Sequence, residues 1–145
     1  MSEAPGRVLG LDVGDRRIGV ALSDPLGFTA QPLAVLARRG LAADLDAIVA
    51  FVEAHAVRTI IVGLPLTLRG ERGIQANKVT SFVHELERRI SVPVRLVDER
   101  LTTVQGQRAL NEAGVSHRKQ KPVIDQVAAQ LILQQFLDMQ RGSIG

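Results

Sequence analysis

The sequence predicts a mixed α/β fold in which a five-stranded sheet is flanked by helices. Two observations support this: short β-branched or alternating stretches are typical of strands, and between them lie stretches whose apolar residues follow helical spacing. The predicted order along the chain is βββαβαβαα, so the sheet is antiparallel at its start and parallel afterwards. Because 145 residues suit one compact unit, we expect a single domain over residues 1–145.

Turn signals and short apolar runs place the strands. Gly14-Asp15-Arg16 has the composition of a hairpin turn, so the stretches on either side of it are expected to pair with each other. A β-branched run begins at Thr59, and such a run is typical of a strand that is buried on both faces. The five predicted strands cover residues 7–13, 17–23, 31–36, 59–63 and 94–97.

Apolar residues at intervals of three and four place the helices. Leu41, Leu45, Ile48 and Val52 show this spacing in the first helix, and Pro122 suits the first turn of the last one. The four predicted helices cover residues 41–55, 79–90, 102–112 and 122–139. We find no repeat and no linker that would divide the chain.

The composition argues against several kinds of protein. The chain has no cysteine, which excludes disulfides and thiolate metal sites and fits a reducing cytoplasm. Its first seven residues lack the apolar stretch of a signal peptide, and no apolar run is long enough to span a bilayer. We therefore expect a cytoplasmic protein without a membrane partner. Scattered histidines and the absence of Gly-x-Ser-x-Gly and Walker motifs argue against zinc, serine-hydrolase and P-loop sites.

Asp12 is the first candidate catalytic residue. Strand alternation places Gly10, Asp12 and Gly14 on one face of the first strand. A carboxylate inside an apolar strand is costly unless it is paired or binds a cation. The flanking glycines leave space in which a metal ion or a phosphate can approach. The alternative is an Asp12 that bonds to the following turn, but Asp15 is better placed for that role.

Two further acids, Asp98 and Glu99, follow the fifth predicted strand. The carboxyl ends of parallel strands are where open α/β sheets bind their ligands. Alternation puts Asp98 on one side of the strand and Glu99 on the other, but both sides of a central strand can be buried. Alternation alone therefore does not choose between the two acids, and both could instead belong to a surface loop.

Asp125 lies near the start of the last predicted helix, where the helix dipole by itself favours a carboxylate. It also shares a helix face with Ala128, Ala129 and Ile132, so we expect it to point toward the packed side. Acids from a strand, a strand end and a helix start could then converge on one site. Three converging acids are typical of two-metal sites that cut phosphodiesters, in which the two divalent ions lie roughly 3.5–4 Å apart. Ligands that are all oxygen suit Mg²⁺ or Mn²⁺.

The positive charges of the chain permit a nucleic acid partner. The net charge is only +3, but several cations cluster in predicted loops that a phosphate backbone could reach. With four Phe, mostly in segments expected to be buried, and no Tyr or Trp, recognition should follow nucleic acid shape rather than base stacking. The loop at 64–73 is expected to act as a mobile clamp. The candidate phosphate-binding residues are Arg16, Arg17, Arg69, Arg72, Arg100, Arg118, Lys119 and Lys121.

Four sequence blocks, in order, span nearly the whole chain. They are residues 11–24 (LDVGDRRIGVALSD), 62–66 (VGLPL), 97–103 (VDERLTT) and 124–137 (IDQVAAQLILQQFL). Together they resemble the YqgF family, also called RuvX, whose members are described as Holliday junction resolvases. The resemblance implies a ribonuclease H-like fold, related to the RuvC resolvases, and a metal-dependent nuclease activity.

The resemblance also implies which residues act. It places the family's catalytic and metal-binding acids on Asp12, Glu99 and Asp125, with two Mg²⁺ or Mn²⁺ ions as the cofactor. Family members are linked to maturation of pre-16S rRNA, expected here at its 5′ end, and some have been proposed to cut branched DNA. One block departs from the family, whose loop usually has the sequence LPLNMDG where residues 64–70 are LPLTLRG. Thr67 replaces an amide and Arg69 replaces an acid, so the change at position 69 adds positive charge, which bears on substrate preference rather than on chemistry.

Two other functions compete with a nuclease. An actin-like ATPase or sugar kinase also begins with Asp-x-Gly on its first hairpin, but it needs two domains and 145 residues hold one. A non-catalytic binding factor would not need three acids facing phosphates. The sequence does not choose between structured RNA and branched DNA. Junction resolution needs two active sites and hence a homodimer, which stays open.

Overall fold

The structure is a computed structural model that describes residues 6–67, 69–101 and 121–142, without the side chains of residues 101, 121–126 and 142. Its strands are β1 (Arg7–Val13), β2 (Arg17–Ser23), β3 (Ala30–Ala37), β4 (Val57–Leu64) and β5 (Val94–Asp98). The helices in these ranges are α1 (Leu41–Ala54), α2 (Ile74–Glu87) and α3 (Lys121–Gly142), with a short 3₁₀ helix at Glu99–Leu101.

The five strands form one mixed sheet in the order β3-β2-β1-β4-β5. β1 and β2 are antiparallel and joined by a tight turn, in which the Gly14 N–H donates to the Arg17 carbonyl at 2.8 Å. β3 continues the antiparallel part, whereas β4 and β5 run parallel to β1. The carboxyl ends of β1, β4 and β5 therefore meet at one edge of the sheet, which is the edge where ligands bind in open α/β sheets.

Helices cover both faces of this sheet. One face packs on α1 and α2 and forms an aliphatic cluster that includes Leu9, Leu11, Ile60 and Leu86. The other face packs on α3 through a separate cluster that includes Val8, Ile61, Val97, Ala129 and Ile132. Because both faces are buried, β1 and β4 carry nearly continuous apolar sequence, as central strands do.

Most predicted elements are confirmed, with small differences at their ends. β1 and β2 have the predicted bounds, and β3 and β4 are longer than predicted. Helix α2 begins at Ile74 and ends at Glu87, so Ile90 packs on the core from outside the helix. The predicted helix at 102–112 lies outside the described residues. In the part of the chain that is described, we find no helix with the length and hydropathy needed to cross a membrane.

Candidate active site

Asp12 lies in β1 on the face that packs against α3. Only 4% of its surface is exposed. Its neighbour on the same face, Gly10, lies directly under the helix: a methyl group added there would be 2.9 Å from Leu133 Cβ and 3.3 Å from the Ala129 carbonyl oxygen. Glycine is therefore needed at position 10 for α3 to approach the strand that carries Asp12.

Glu99 lies beside the same part of the sheet. It is the first residue of the 3₁₀ helix after β5, and only 1% of its surface is exposed. Its side chain crosses toward β4, because a methyl group added at Gly63 would be 3.1 Å from Glu99 Cγ and 2.7 Å from Ile132 Cδ1. Glu99 thus occupies space that a larger residue at position 63 would fill, on the face covered by α3.

The strand register relates the two acids to each other. Leu11 pairs with Val62 across the parallel β1–β4 ladder, so the next pair of positions brings Asp12 beside Gly63. Gly63 in turn pairs with Val97 of β5, two residues before Glu99. The structure therefore brings two buried carboxylates to the two sides of Gly63, at the carboxyl edge of the parallel strands.

Asp98, the acid that strand alternation did not separate from Glu99, has different surroundings. It is half-buried and pairs with Arg100, whose Nη2 donates to Asp98 Oδ2 at 2.7 Å and whose Nε lies 3.1 Å from both carboxylate oxygens. The hydrogen bonds from the Arg100 side chain lower the pKa of Asp98 below its usual range. Asp98 therefore forms an ion pair near the surface, and Glu99 is buried between β4 and α3.

The third predicted acid, Asp125, lies in α3 one helical turn before Ala128 and Ala129. Both alanines are buried against the sheet, so this part of the helix packs closely over β1. The Asp125 side chain is outside the described part of the structure. Among the side chains that are described, no group of three potential metal ligands occurs, so the convergence of all three acids stays a prediction.

The predicted phosphate-binding residues fall into three groups. Arg16, Arg69 and Arg72 are exposed, and Arg17 is half-buried. Arg100 lies at the surface, but it pairs with Asp98 and its guanidinium packs on Gly70, where an added methyl group would be 3.1 Å from Nη1. For the remaining three, the structure gives no side-chain position: Arg118 and Lys119 lie outside the described residues, and Lys121 starts α3.

The loop between β4 and α2 is closed by hydrogen bonds around Thr67. The Thr67 N–H donates to the Glu71 carbonyl at 2.9 Å, and the Gly70 N–H donates to the Thr67 carbonyl at 2.8 Å. The Thr67 hydroxyl also accepts a hydrogen bond from the Glu71 N–H at 3.1 Å. The departure from the family loop at position 67 thus keeps an oxygen acceptor that closes the turn, and Gly70 has a φ of 82° that favours glycine.

A sequence model described as "RuvX: Holliday junction resolvase" matches residues 6–139. The chain belongs to the RuvX family. A protein named "Putative pre-16S rRNA nuclease" from Moorella thermoacetica is 52% identical over 132 residues, which cover 91% of this chain and 94% of that protein. A protein of the same name from Roseiflexus sp. is 46% identical over 141 residues, which cover 97% of this chain and 100% of that protein.

Solved structures confirm the fold of this RuvX-family chain. The T. thermophilus RuvC structure in complex with a Holliday junction substrate superposes with a TM-score of 0.61, covering 95% of this chain and 97% of that one at 14% sequence identity. The fowlpox virus Holliday junction resolvase superposes with a TM-score of 0.50 at 10% identity, covering 92% of this chain and 99% of that one. The ribonuclease H-like fold predicted from the resemblance is therefore confirmed.

Two features of this edge of the sheet were missed by the sequence analysis. Asp44 of α1 is buried and pairs with Arg38 at 2.6 Å, although helical spacing gave no reason to single out either residue. A groove of about 670 Å³ runs between α2 and the β1–β2 turn. Phe82 is buried and Phe51 and Phe136 pack against the core, as expected, whereas Phe28 is half-exposed in the β2–β3 loop.

Proposed function

We propose that this chain is a divalent-metal-dependent nuclease that hydrolyses phosphodiester bonds, with pre-16S rRNA as its substrate. The observation that carries the proposal is the placement of Asp12 and Glu99, two buried carboxylates on either side of Gly63 under α3. Two carboxylates held at the same edge of a sheet repel each other, and a divalent cation bound by both removes that repulsion. Such an arrangement is expected where the acids serve chemistry rather than the fold.

The donor set fits Mg²⁺ or Mn²⁺. Both side chains offer only carboxylate oxygens, which are the ligands that these hard cations prefer, and the absence of a side chain at Gly63 allows Glu99 to lie over β4. Asp12 and Glu99 would hold the metal together with Asp125 of α3. When bound, divalent ions supply positive charge to the phosphate and lower the pKa of a bound water.

The chain's own residues define where the substrate lies. Helix α3 and β4 exclude solvent from one side of the acids, so the phosphate must approach from the carboxyl edge of the strands. Arg69 and Arg72 are exposed in the loop that borders this edge and would neutralise flanking phosphates. Arg100 is anchored on Asp98 and Gly70, which places its charge at the same edge.

The choice of substrate follows the relatives. Proteins 46–52% identical to this chain over more than nine tenths of its length are named as pre-16S rRNA nucleases, so structured RNA is the first candidate. Branched DNA is the second candidate because the family's own description is Holliday junction resolvase. The second activity would need two copies of the site, and therefore a homodimer, to cut both strands.

The decisive experiment compares both substrates with one preparation. We expect the wild-type protein with Mg²⁺ or Mn²⁺ to cleave an RNA that spans the 5′ end of 16S rRNA, and excess EDTA or Ca²⁺ alone to stop cleavage. Asp12→Asn should remove most cleavage while the protein remains folded by circular dichroism. Full activity in EDTA, or wild-type rates in a folded Asp12→Asn variant, would contradict the proposal.

A further inference from the structure

A groove opens at the same edge of the sheet as the acids, but on the face that carries α1 and α2. Its floor contains the buried side chains of Val13 and Phe82, and its apolar rim contains Leu41 and Ile74, which are 45% and 79% exposed. The volume of about 670 Å³ lies within the range of sites that bind small organic molecules. Exposed apolar side chains beside a concave surface of this size suggest a ligand with an apolar face.

Arg38 gives this groove a fixed, flat cation. Its Nε pairs with the buried Asp44 at 2.6 Å, and its Nη1 donates to the Gly14 carbonyl at 2.7 Å. The guanidinium lies over the Phe82 ring, 5.4 Å from the ring centroid. With these three contacts the plane of the guanidinium is held in place before any ligand arrives. Arginine planes are surfaces on which unpaired bases stack, and Arg38, whose side chain is 25% exposed, lines the groove.

The charges of the groove favour a neutral occupant. Arg38 and Lys78 are balanced by Asp15 and Glu85, which line the same groove. Lys78 Nζ lies 3.3 Å from Asp15 Oδ1. Glu85 Oε2 lies 3.6 Å from Nη1 of Arg88, which is not a lining residue of the groove. Such a surface gives a phosphate chain little net attraction, but it suits an uncharged ring system with polar edges.

Polar side chains of α2 also line the groove. Gln75, Asn77 and Ser81 of α2 line the groove with amide and hydroxyl groups that both donate and accept hydrogen bonds. Nucleobases present donors and acceptors on their edges and an apolar face, and proteins recognise unpaired bases through both. The groove therefore matches a nucleobase in its flat cation, its charge balance and its hydrogen-bonding groups.

The position of the groove links it to the acid site. Val13 and Gly14, which line it, directly follow Asp12 in β1, and Ile74 directly follows the loop that carries Arg69 and Arg72. A nucleic acid strand that passes the carboxyl edge of β1 at Asp12 therefore reaches the groove by turning around this edge.

We infer that the groove between α2 and the β1–β2 turn binds one unpaired nucleobase of the substrate strand next to the phosphate that is cut. This inference rests on the proposed nuclease function and adds a substrate requirement to it. The enzyme would select positions where a base is free to leave its stack, such as a single-strand boundary or a bulge. It adds contact with one unpaired base to the recognition by shape that the low aromatic content of the sequence predicted.

The test removes single bases from a substrate that the wild-type protein cleaves. Abasic nucleotides are placed one at a time on both sides of the cleaved phosphate, and the KM and kcat of cleavage are measured at each position. We expect one abasic position to raise KM about 10-fold, the effect of losing one stacked base. Positions farther away should have no effect.

Two variants connect that effect to the groove. The first is a double variant, Ile74→Ala with Asn77→Ala, which removes an exposed apolar side chain and an amide from the groove. Arg38 is not mutated, because it forms an ion pair with the buried Asp44. We expect this double variant to raise KM about 10-fold on the intact substrate and to lose nothing further on the sensitive abasic one. Met139→Ala, a half-exposed position in α3, should behave as the wild type on both substrates.

The outcomes separate this inference from the proposed function. Wild-type cleavage that no abasic position changes would overturn the base site and leave the nuclease proposal standing. A double variant that remains as sensitive to the abasic position as the wild type would also overturn it. If free nucleoside monophosphates inhibit cleavage but no abasic position changes it, the groove binds a free nucleotide, and the inferred site for a substrate base is overturned as well. No cleavage of any substrate by the wild type would instead count against the nuclease itself.

Discussion

The two faces of the sheet are built for different tasks, although both are buried. The face under α1 and α2 carries large aliphatic side chains, and Ile60 of β4 is fully buried there. Its neighbour in sequence, Ile61, is fully buried on the other face, under α3. On the α3 face, however, positions 10 and 63 are glycines, and a larger residue at either position would collide with α3 or with Glu99.

The glycines explain how the α3 face holds its acids. A larger residue at position 63 would collide with both Glu99 and Ile132, so the absence of a side chain there is what allows Glu99 to lie over β4. The α1/α2 face therefore carries a continuous aliphatic core, whereas the α3 face combines apolar packing with the two acids of the proposed site.

The largest expected effect separates two neighbouring acids. Glu99→Gln should lower the cleavage rate at least 100-fold. Mutating a residue that only hydrogen-bonds to a metal ligand typically lowers activity about 10–100-fold, and mutating a direct ligand should lower it no less. Asp98→Asn should lower cleavage less than about 10-fold, because this acid pairs with Arg100 and is not buried under α3. Steady-state cleavage rates of the two variants check the contrast, and equal losses would show that the acids act as one unit.

A second prediction concerns the space under α3. Gly63→Ala should destabilise the protein by about 1–3 kcal/mol, because the added methyl group would lie 2.7 Å from Ile132 Cδ1 in a packed region. Gly73→Ala is the comparison variant, since a methyl group there would lie 3.6 Å from Thr67 Cγ2, an ordinary contact, and its N-cap position before α2 should cost less than about 1 kcal/mol. Urea unfolding of both variants measures the difference. A Gly63→Ala variant as stable as the comparison variant would mean that α3 can move away from the sheet at no cost.

A third prediction concerns charges that belong to neither face. Replacing Arg69 and Arg72 together by alanine should weaken nucleic acid binding and lower the slope of log Kd against log salt by up to about two units. Arg89→Ala is the control, because Arg89 lies after the end of α2, away from the carboxyl edge, and pairs with Asp46 of α1. Fluorescence anisotropy at several salt concentrations tests this, and an unchanged slope in the double variant would contradict it.

The smallest effect is a pH dependence at Asp98. Hydrogen bonds from Arg100 lower the pKa of Asp98 in the folded state, so the ionised form favours folding. This contribution is present above the unfolded pKa of about 3.9 and is lost as pH falls through the lower folded value. The wild type should therefore be slightly more stable than Asp98→Asn at pH 7, and the difference should disappear in acid. Urea unfolding across this range would contradict the prediction if the difference persisted.

The sequence by itself determined most of the secondary structure and the placement of Asp12. Alternation in β1 is a local property, so it assigned Asp12 to the face of Gly10 without knowledge of what covers that face. The bounds of β1 and β2 also followed from local signals, since the turn between them is only a few residues long. Helix α2 began earlier than predicted because its first turn carries the exposed Ile74 and few apolar residues that would show helical spacing.

Strand alternation left Asp98 and Glu99 open, and the family resemblance pointed to Glu99. The tertiary structure showed that Glu99 is the buried acid, and it revealed the groove beside α2. Both acids follow the same strand, and their difference depends on α3, which packs from residues far along the chain. The groove joins Val13, Arg38 and Phe82, which local patterns treat as unrelated. Local periodicity reports which way a side chain points relative to its own element. Burial and contact depend on which distant element arrives on that side, and that is set by packing of the whole chain.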